Sequence, residues 1–279
     1  MLLAAAAFAA MTAAAKLVGA RLPVFEIVFA RALFSVAVTA LLLRRARAPL
    51  LGTRRPLLAL RGLLGFLGLT CSFYAVIHLP LAEATLLQFL HPVFTVALAA
   101  LLLRERIGRG ILFGIPLALA GLLLVVRPAF LFGGAAAPLD PLAVAVALAG
   151  AFFAADAYVT VRHLARTGEH PLAIVFSFPA VTLALSLPLM LRDFVWPEGR
   201  DWVFLLATGA SAQVGQVALT RGIQLLPASR ATAYSYTQIV FAAALGALLF
   251  GERPGAASPL GGALVLAGAW LAGRSGGRS

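Results

Sequence analysis

Charge is what this sequence lacks. Only 11% of its 279 residues are charged and ten are acidic, against 62% hydrophobic and a mean hydropathy of +1.00. A soluble domain carries about a quarter charged residues, so there are too few polar groups here to solvate a globular surface. Cysteine is nearly absent as well. Cys71 is the one thiol and lies inside an apolar run, which excludes an intrachain disulfide and a Cys-based metal centre and leaves the redox compartment unread. Met1–Ala15 has no basic residue ahead of it and runs into Lys16 without a clear cleavage site. It reads as an uncleaved first helix rather than a signal peptide, with a few native residues upstream of Met1 left open.

What the chain does have is long apolar runs. Breaks at Pro, Gly and Arg clusters set them at 2–20, 24–43, 57–77, 81–103, 109–126, 141–161, 171–191, 202–220, 229–250 and 258–273. A bilayer-spanning helix takes roughly 20 residues, so ten spans consume nearly the whole chain and leave no room for a soluble domain. The shorter runs still qualify, because local thinning and snorkelling absorb the mismatch. Only helices and closed barrels satisfy their backbone polar groups in lipid, and these runs lack the alternation of barrel strands. The expectation is an all-α integral membrane protein of ten transmembrane helices.

The net charge of +12 raises nucleic-acid binding as an option, since clustered Lys and Arg release counterions from phosphates. Its placement argues against that, because the basic residues sit mainly in the gaps between apolar runs. With a cytoplasmic N-terminus, the inner gaps hold 14 basic residues and the outer gaps 5, while Lys16, Arg31 and Arg61 fall in or beside spans. That bias places both termini in the cytoplasm.

Self-similarity is more informative still. A shift of 147 positions sets Leu79–Val126 on Leu226–Gly273 without a gap, with 20 of 48 positions identical. The matches include Leu79-Pro80 with Leu226-Pro227, Ala84-Thr85 with Ala231-Thr232, Glu105-Arg106 with Glu252-Arg253, and Gly114 and Gly121 with Gly261 and Gly268. Leu and Ala coincidences are cheap in this composition, but Pro, Gly and charged ones in one register are not. The chain therefore divides into a first five-helix repeat at 1–130 and a second at 138–279. Five is odd, so the second repeat enters the membrane from the opposite side and is inverted. Such repeats surround a midplane site whose access alternates as one half rocks against the other.

Two copies of a Leu-Pro, Ala-Thr, apolar helix, Glu-Arg, Gly-rich helix pattern resemble the EamA-type permeases of the drug/metabolite transporter superfamily. Gly62–Leu79 and His91-Pro92-Val93-Phe94 are also similar to the branch related to the solute carrier 35 proteins. The resemblance covers nearly the whole chain. It implies a ten-helix permease with a cytoplasmic N-terminus and a central cavity, in the plasma (bacterial inner) membrane, most often exporting amino acids, nucleosides or other metabolites. The first helix departs from the pattern, lacking the Trp-Gly/Ser-Asn run of relatives across Ala4–Thr12.

An ionisable group inside a span costs about 2.5–3.5 kcal/mol on insertion scales, so each is a site candidate by default. In the fourth run Gln88, His91 and Thr95 fall at i, i+3 and i+7 on one polar stripe, broken by Pro92, whose missing amide loosens the backbone beside His91, and the repeat maps Gln88 and His91 onto Ser235 and Gln238. Gln213, Gln216 and Thr220 form another uncharged stripe, and neutral amides suit a zwitterionic or sugar-like ligand better than an anion. Tyr74, Tyr158, Tyr234 and Tyr236 offer flat surfaces for stacking, or interface anchors. Against the site reading stands a plain one, in which such groups tie helices together at about 1 kcal/mol per bond. Asp156 and Lys16 are placed for a neutralising pair or a coupling proton, although Lys16 also suits snorkelling. Glu83 suits a gate or proton site at a helix N-terminus. Arg31 lies well inside the second run, where it calls for a carboxylate or carbonyl partner; Glu26, five positions away, is on another face. Glu105-Arg106 and Glu252-Arg253 suit helix capping or gating.

The expected partners are a small-molecule metabolite and the lipid bilayer, with homodimerisation open and nucleic acid excluded. No cofactor or metal is called for. An intramembrane enzyme is the rival class, but the one dense His/acid group, His163, Glu169 and His170, falls in a loop without helical ligand spacing. A passive channel and an importer stay as alternatives within transport. If the second repeat is inverted, cysteines introduced beside positions 80 and 227 react with impermeant reagents from opposite sides of the membrane; labelling from the same side overturns the inversion.

Overall fold

The computed structural model describes residues 1–79, 81–126, 131, 139–251 and 257–274. Pro80, Arg127, Glu252, Arg253 and Arg278 lie outside the described residues. Those that are described form helices and connecting turns with no strand. In chain order the helices are α1 (Leu2–Val18), α2 (Val24–Arg45), α3 (Arg55–His78), α4 (Leu81–Gln88), α5 (His91–Leu102), α6 (Arg109–Val126), α7 (Pro141–Arg166), α8 (Pro171–Arg192), α9 (Arg200–Leu225), α10 (Ala228–Ala233), α11 (Thr237–Phe250) and α12 (Ser258–Arg274). Eight segments are long and apolar enough to cross a membrane, with α4–α5 counted as one and α10–α11 as one. The terminal helices α1 and α12 are shorter, at 17 residues each.

Helix starts follow the local chemistry. Proline opens α7 and α8, where its missing N–H costs nothing. Ahead of these helices the Asp140 carboxylate accepts from the Leu142 amide at 3.0 Å and His170 Nδ1 accepts from the Leu172 amide at 3.3 Å. Gly251 closes α11 in the left-handed region at φ 64°, which a side chain would strain.

Two apolar runs are not continuous helices. The fourth stops at Gln88 and resumes at His91, and the ninth passes through a 3-10 turn at Tyr234–Tyr236. Pro92 explains the first break: it has no N–H for the Gln88 carbonyl four residues back, and its ring crowds that carbonyl. The single polar stripe expected over Gln88, His91 and Thr95 is thereby corrected. Gln88 is exposed on α4, whereas His91 and Thr95 are buried on α5.

The second half repeats the first in order and, apart from the 26-residue α7 against the 17-residue α1, closely in length. Moving α2 by 147 positions lands on the bounds of α8, and the two broken segments fall on each other under the same shift. Packing across the halves is close where residues are small. A Cβ on Gly114 would stand 2.5 Å from the Gly268 carbonyl oxygen, and one on Gly121 would stand 2.5 Å from that of Gly261. Helices α6 and α12 are therefore antiparallel with their backbones in contact. Elsewhere α3 lies along α7 at Gly68 and Gly150, α9 meets α2 where Gly209 faces Phe34, and α9 meets α1 where Gly215 faces Phe8.

Polarity runs opposite to that of a soluble protein. Leu101, Leu225 and Leu248 are at least 76% exposed, whereas Thr39, Thr95, Thr182, Ser186 and Thr232 are fully buried. This is how a bundle presents hydrocarbon to lipid and keeps its hydrogen-bonding groups inside. Overpacking of this kind costs typically 1–3 kcal/mol, so Gly114→Val is expected to lower the thermal unfolding midpoint of the purified protein clearly. Gly262→Ala, whose new Cβ meets only Val240 at 3.9 Å, is expected to leave it unchanged.

Candidate substrate site

The break between α4 and α5 turns His91 inward. Its ring is 7% exposed, and Nδ1 lies 3.1 Å from the Gln88 carbonyl oxygen. A carbonyl only accepts, so Nδ1 carries the hydrogen and Nε2 of the neutral ring is an acceptor. That nitrogen is buried and has no partner among the described residues. His91 meets Tyr158 of α7 edge-on at 5.4 Å and Phe89 at 6.0 Å, and Phe89 stacks on Tyr236 at 6.2 Å. Tyr236 is fully buried with its hydroxyl unpartnered among the described residues.

From Tyr158 the cluster continues to Arg61 of α3, which lies within electrostatic reach of the phenol and is 3% exposed. The Arg61 guanidinium sits 5.1 Å from the centre of the Phe178 ring of α8, and its Nη2 donates to Gln216 Oε1 of α9 at a long 3.5 Å. Arg31 of α2 approaches the same ring at 5.6 Å and donates to the Met11 sulfur of α1 at 3.3 Å. Farther along α2, Thr39 accepts from Gln213 Nε2 at 2.8 Å. One belt of polar and aromatic groups thus draws on α1, α2, α3, α5, α7, α8 and α9, on Phe89 between α4 and α5, and on Tyr236 of the 3-10 turn.

Of the residues singled out in the sequence, the belt gathers His91, Tyr158, Gln213, Gln216, Tyr236 and Arg31. Others lie apart from it. Tyr74 stacks on His78 at 4.0 Å near the end of α3, and the Tyr234 hydroxyl packs on Gly273 of α12. Thr95 donates its hydroxyl to the His91 carbonyl at 2.8 Å. Ser235 and Gln238 are half-buried in or beside the 3-10 turn, and Glu83 is buried in the first turn of α4. Asp156 is half-buried and pairs with no described residue, so it forms no ion pair with Lys16, whose ammonium lies 4.4 Å over the Phe250 ring. The oxygen partner expected for Arg31 is corrected: a thioether and a ring face hold it instead. Arg61, Phe89, Phe178, Met11 and Thr39 went unremarked as site residues. Arg61 carried a usable signal, as one of three basic residues in or beside a span.

Carboxylates close the ends of the bundle. Glu105, just beyond α5, accepts from the Ala228 amide at 3.1 Å, the Ser229 amide at 3.3 Å and the Ser229 hydroxyl at 3.0 Å, capping α10. Arg162 and Arg166 of α7 reach the same carboxylate at 3.5 and 3.4 Å. Capping, one of the two roles expected for this Glu-Arg signature, is what Glu105 performs. Glu169 holds the start of α3 through the Thr53 amide at 2.9 Å, the Thr53 hydroxyl at 2.9 Å and the Arg54 amide at 2.7 Å. Toward the other end, Arg21 pairs with Glu198 at 3.1 Å and Asp201 at 3.0 Å, and Glu26 accepts from the Val195 amide at 3.1 Å. Among the described residues no three His, Cys, Asp or Glu side chains gather as metal ligands.

An all-helical bundle with a lipid-like exterior and a polar belt at its centre is the build of a membrane transporter, and comparison with known proteins makes the class specific. Residues 1–127 and 141–274 match the EamA-like transporter family, and the chain belongs to it. Across 95% of its length the chain is 38% identical to the pseudopaline exporter of Pseudomonas aeruginosa, covering 91% of that protein. It is 26% identical to the S-adenosylmethionine uptake transporter of Rickettsia prowazekii over 90% of this chain and 83% of that one. Human solute carrier family 35 member G1 matches at 28% over 72% of this chain and 57% of that one. A protein of known crystal structure shares the fold, with a TM-score of 0.80 at 22% identity over 96% of this chain and 94% of that one. The family and these named relatives are transporters, not enzymes.

Glu169 supplies a pH test of the closure at its end. Burial raises its pKa, but donors from Arg54, His170 and Thr53 outweigh this and hold it below the ordinary 4.5. A depressed carboxylate contributes stability that is complete above its unfolded pKa and is lost as pH falls through the folded value. Thermal stability should therefore drop on acidification below about pH 4.5. Glu169→Gln should remove part of that dependence and cost about 1.5–3 kcal/mol at neutral pH.

Proposed function

We propose that this transporter carries a small polar or amphipathic metabolite, such as an amino acid or nucleoside, out of the cell across the inner membrane by alternating access, with ten spans and both termini in the cytoplasm. The belt of His91, Tyr158, Arg61, Gln216, Phe178 and Arg31 is the substrate site of this reading.

One observation carries it: residues 147 positions apart touch each other. Arg31 lies on Phe178, and Phe89 stacks on Tyr236. Gly114 meets Gly268 while its counterpart Gly261 meets Gly121, the counterpart of Gly268. Contacts of a residue with its own equivalent arise on a two-fold axis, as in an isologous interface, and not between copies related by translation. Two halves related in this way support an inverted repeat, and the site at their axis supports alternating access. At 1.5 Å per residue the 17-residue α1 and α12 reach ~26 Å, which suits a locally thinned bilayer. The printed name of the 38% relative favours export, while the uptake transporter among the relatives keeps import as the competing direction.

Solute counterflow in liposomes tests the mechanism. A carrier shows faster uptake of labelled solute when unlabelled solute is loaded inside, and equal uptake from empty and loaded vesicles identifies a pore. Everted and right-side-out vesicles then read direction: uptake driven only into everted vesicles is the result for an exporter.

A further inference from the structure

Two cations sit in this belt with no anion. Arg31 and Arg61 approach the Phe178 ring at 5.6 and 5.1 Å, and neither forms an ion pair with any described residue. Arg61 is 3% exposed, its Nε is buried without a partner, and its contact with Gln216 is long at 3.5 Å. Five acids are engaged elsewhere, and Asp156 forms no ion pair with either arginine. Glu26, Glu105 and Glu169 hold backbone amides, and Glu198 and Asp201 hold Arg21. Guanidinium groups stay charged at any working pH and present forked donors matched to planar oxyanions. Cationic side chains inside a membrane bundle ordinarily pair with acids or carbonyls, and these two are left to ring faces, an amide and a thioether.

We propose that Arg31 and Arg61 form the anion subsite of the transported solute, and that the solute bears a carboxylate that inserts between them over Phe178. This rests on the transport reading and narrows it to organic carboxylates, of which the zwitterionic ones also agree with the Gln213 and Gln216 stripe. A carboxylate completes donors the fold leaves open, and the rings of Phe178 and Tyr158 flank it with apolar surface. On the far side of Tyr158, the free acceptor at His91 Nε2 is available to an N–H of the same solute.

The test is thermal stabilisation of the purified full chain by a panel of mono-, di- and amino-carboxylates, each paired with its amide, together with inorganic phosphate. Carboxylates are expected to raise the unfolding midpoint and their amides not to. Arg31→Gln and Arg61→Gln are each expected to weaken the half-saturating concentration at least about tenfold. Arg61→Lys keeps the charge and should recover part of the loss, which separates a binding role from a purely structural one. Phosphate stabilising as well as the carboxylates, amides matching their acids, no response across the panel, or unchanged affinity in both Gln variants overturns the proposal. Counterflow of the best-binding carboxylate separates the two readings: binding through the arginines without counterflow leaves the subsite standing and removes transport of that solute. Counterflow of a neutral solute undiminished in the Gln variants does the reverse.

Discussion

Hydrocarbon offers no hydrogen bond, so every polar group in this chain must find its partner inside the bundle or do without. Most find one on their own helix, as Thr95 does at the His91 carbonyl and Thr208 at that of Phe204. Glu26, Glu105, Asp140, Glu169, Glu198 and Asp201 meet the same constraint at helix ends, where amides and arginines satisfy them, while Asp156 stays inside α7. The groups left over are therefore informative. Arg61 Nε, His91 Nε2, Gln213 Oε1 and the Tyr236 hydroxyl have no partner among the described residues and lie in or beside one belt; the Thr70 and Thr182 hydroxyls and one Glu26 oxygen are unpartnered there as well. The proposed subsite rests on the part of this unpaired polarity that falls in the belt.

The belt is built symmetrically and filled asymmetrically. Under the 147-residue shift Arg31 corresponds to Phe178, Phe89 to Tyr236 and Met11 to Tyr158. Arg31 and His91 of the first half face the Phe178 and Tyr158 rings of the second, whereas Phe89 stacks ring on ring with Tyr236 and the Met11 thioether contacts Arg31 within the first half. A solute bound there meets charge on one side and aromatic surface on the other, although the backbones around it are close to equivalent. On the proposed transport reading, rocking of two similar halves and recognition of one dissimilar ligand place no conflicting demands on the same residues.

Much of the fold was legible because apolar runs and Gly, Pro and Arg punctuation are strong signals in a membrane chain. The runs at 24–43, 109–126 and 171–191 fall within a few residues of α2, α6 and α8. Pro92 announced a loosened backbone beside His91 in the fourth run, though not that the helix stops at Gln88, and the break in the ninth was not read. The latter has no proline inside it and is visible only through its 147-residue counterpart. The site was half legible: intramembrane charge pointed to Arg31, and helical spacing pointed to His91, Gln213 and Gln216. Phe178 was hidden among 19 phenylalanines, and nothing short of the repeat register distinguishes it from a packing residue. Helical spacing also failed for Gln88, because a stripe persists only while the helix does.

The carboxylate of Glu105 has an implication for biogenesis. It belongs to the first half of the chain and caps α10 in the second, so the start of that helix acquires its partner from a residue synthesised more than a hundred positions earlier. Two fragments cut between α6 and α7 would each lack something the other holds. The start of α10 is thus completed only when both parts of the chain are present.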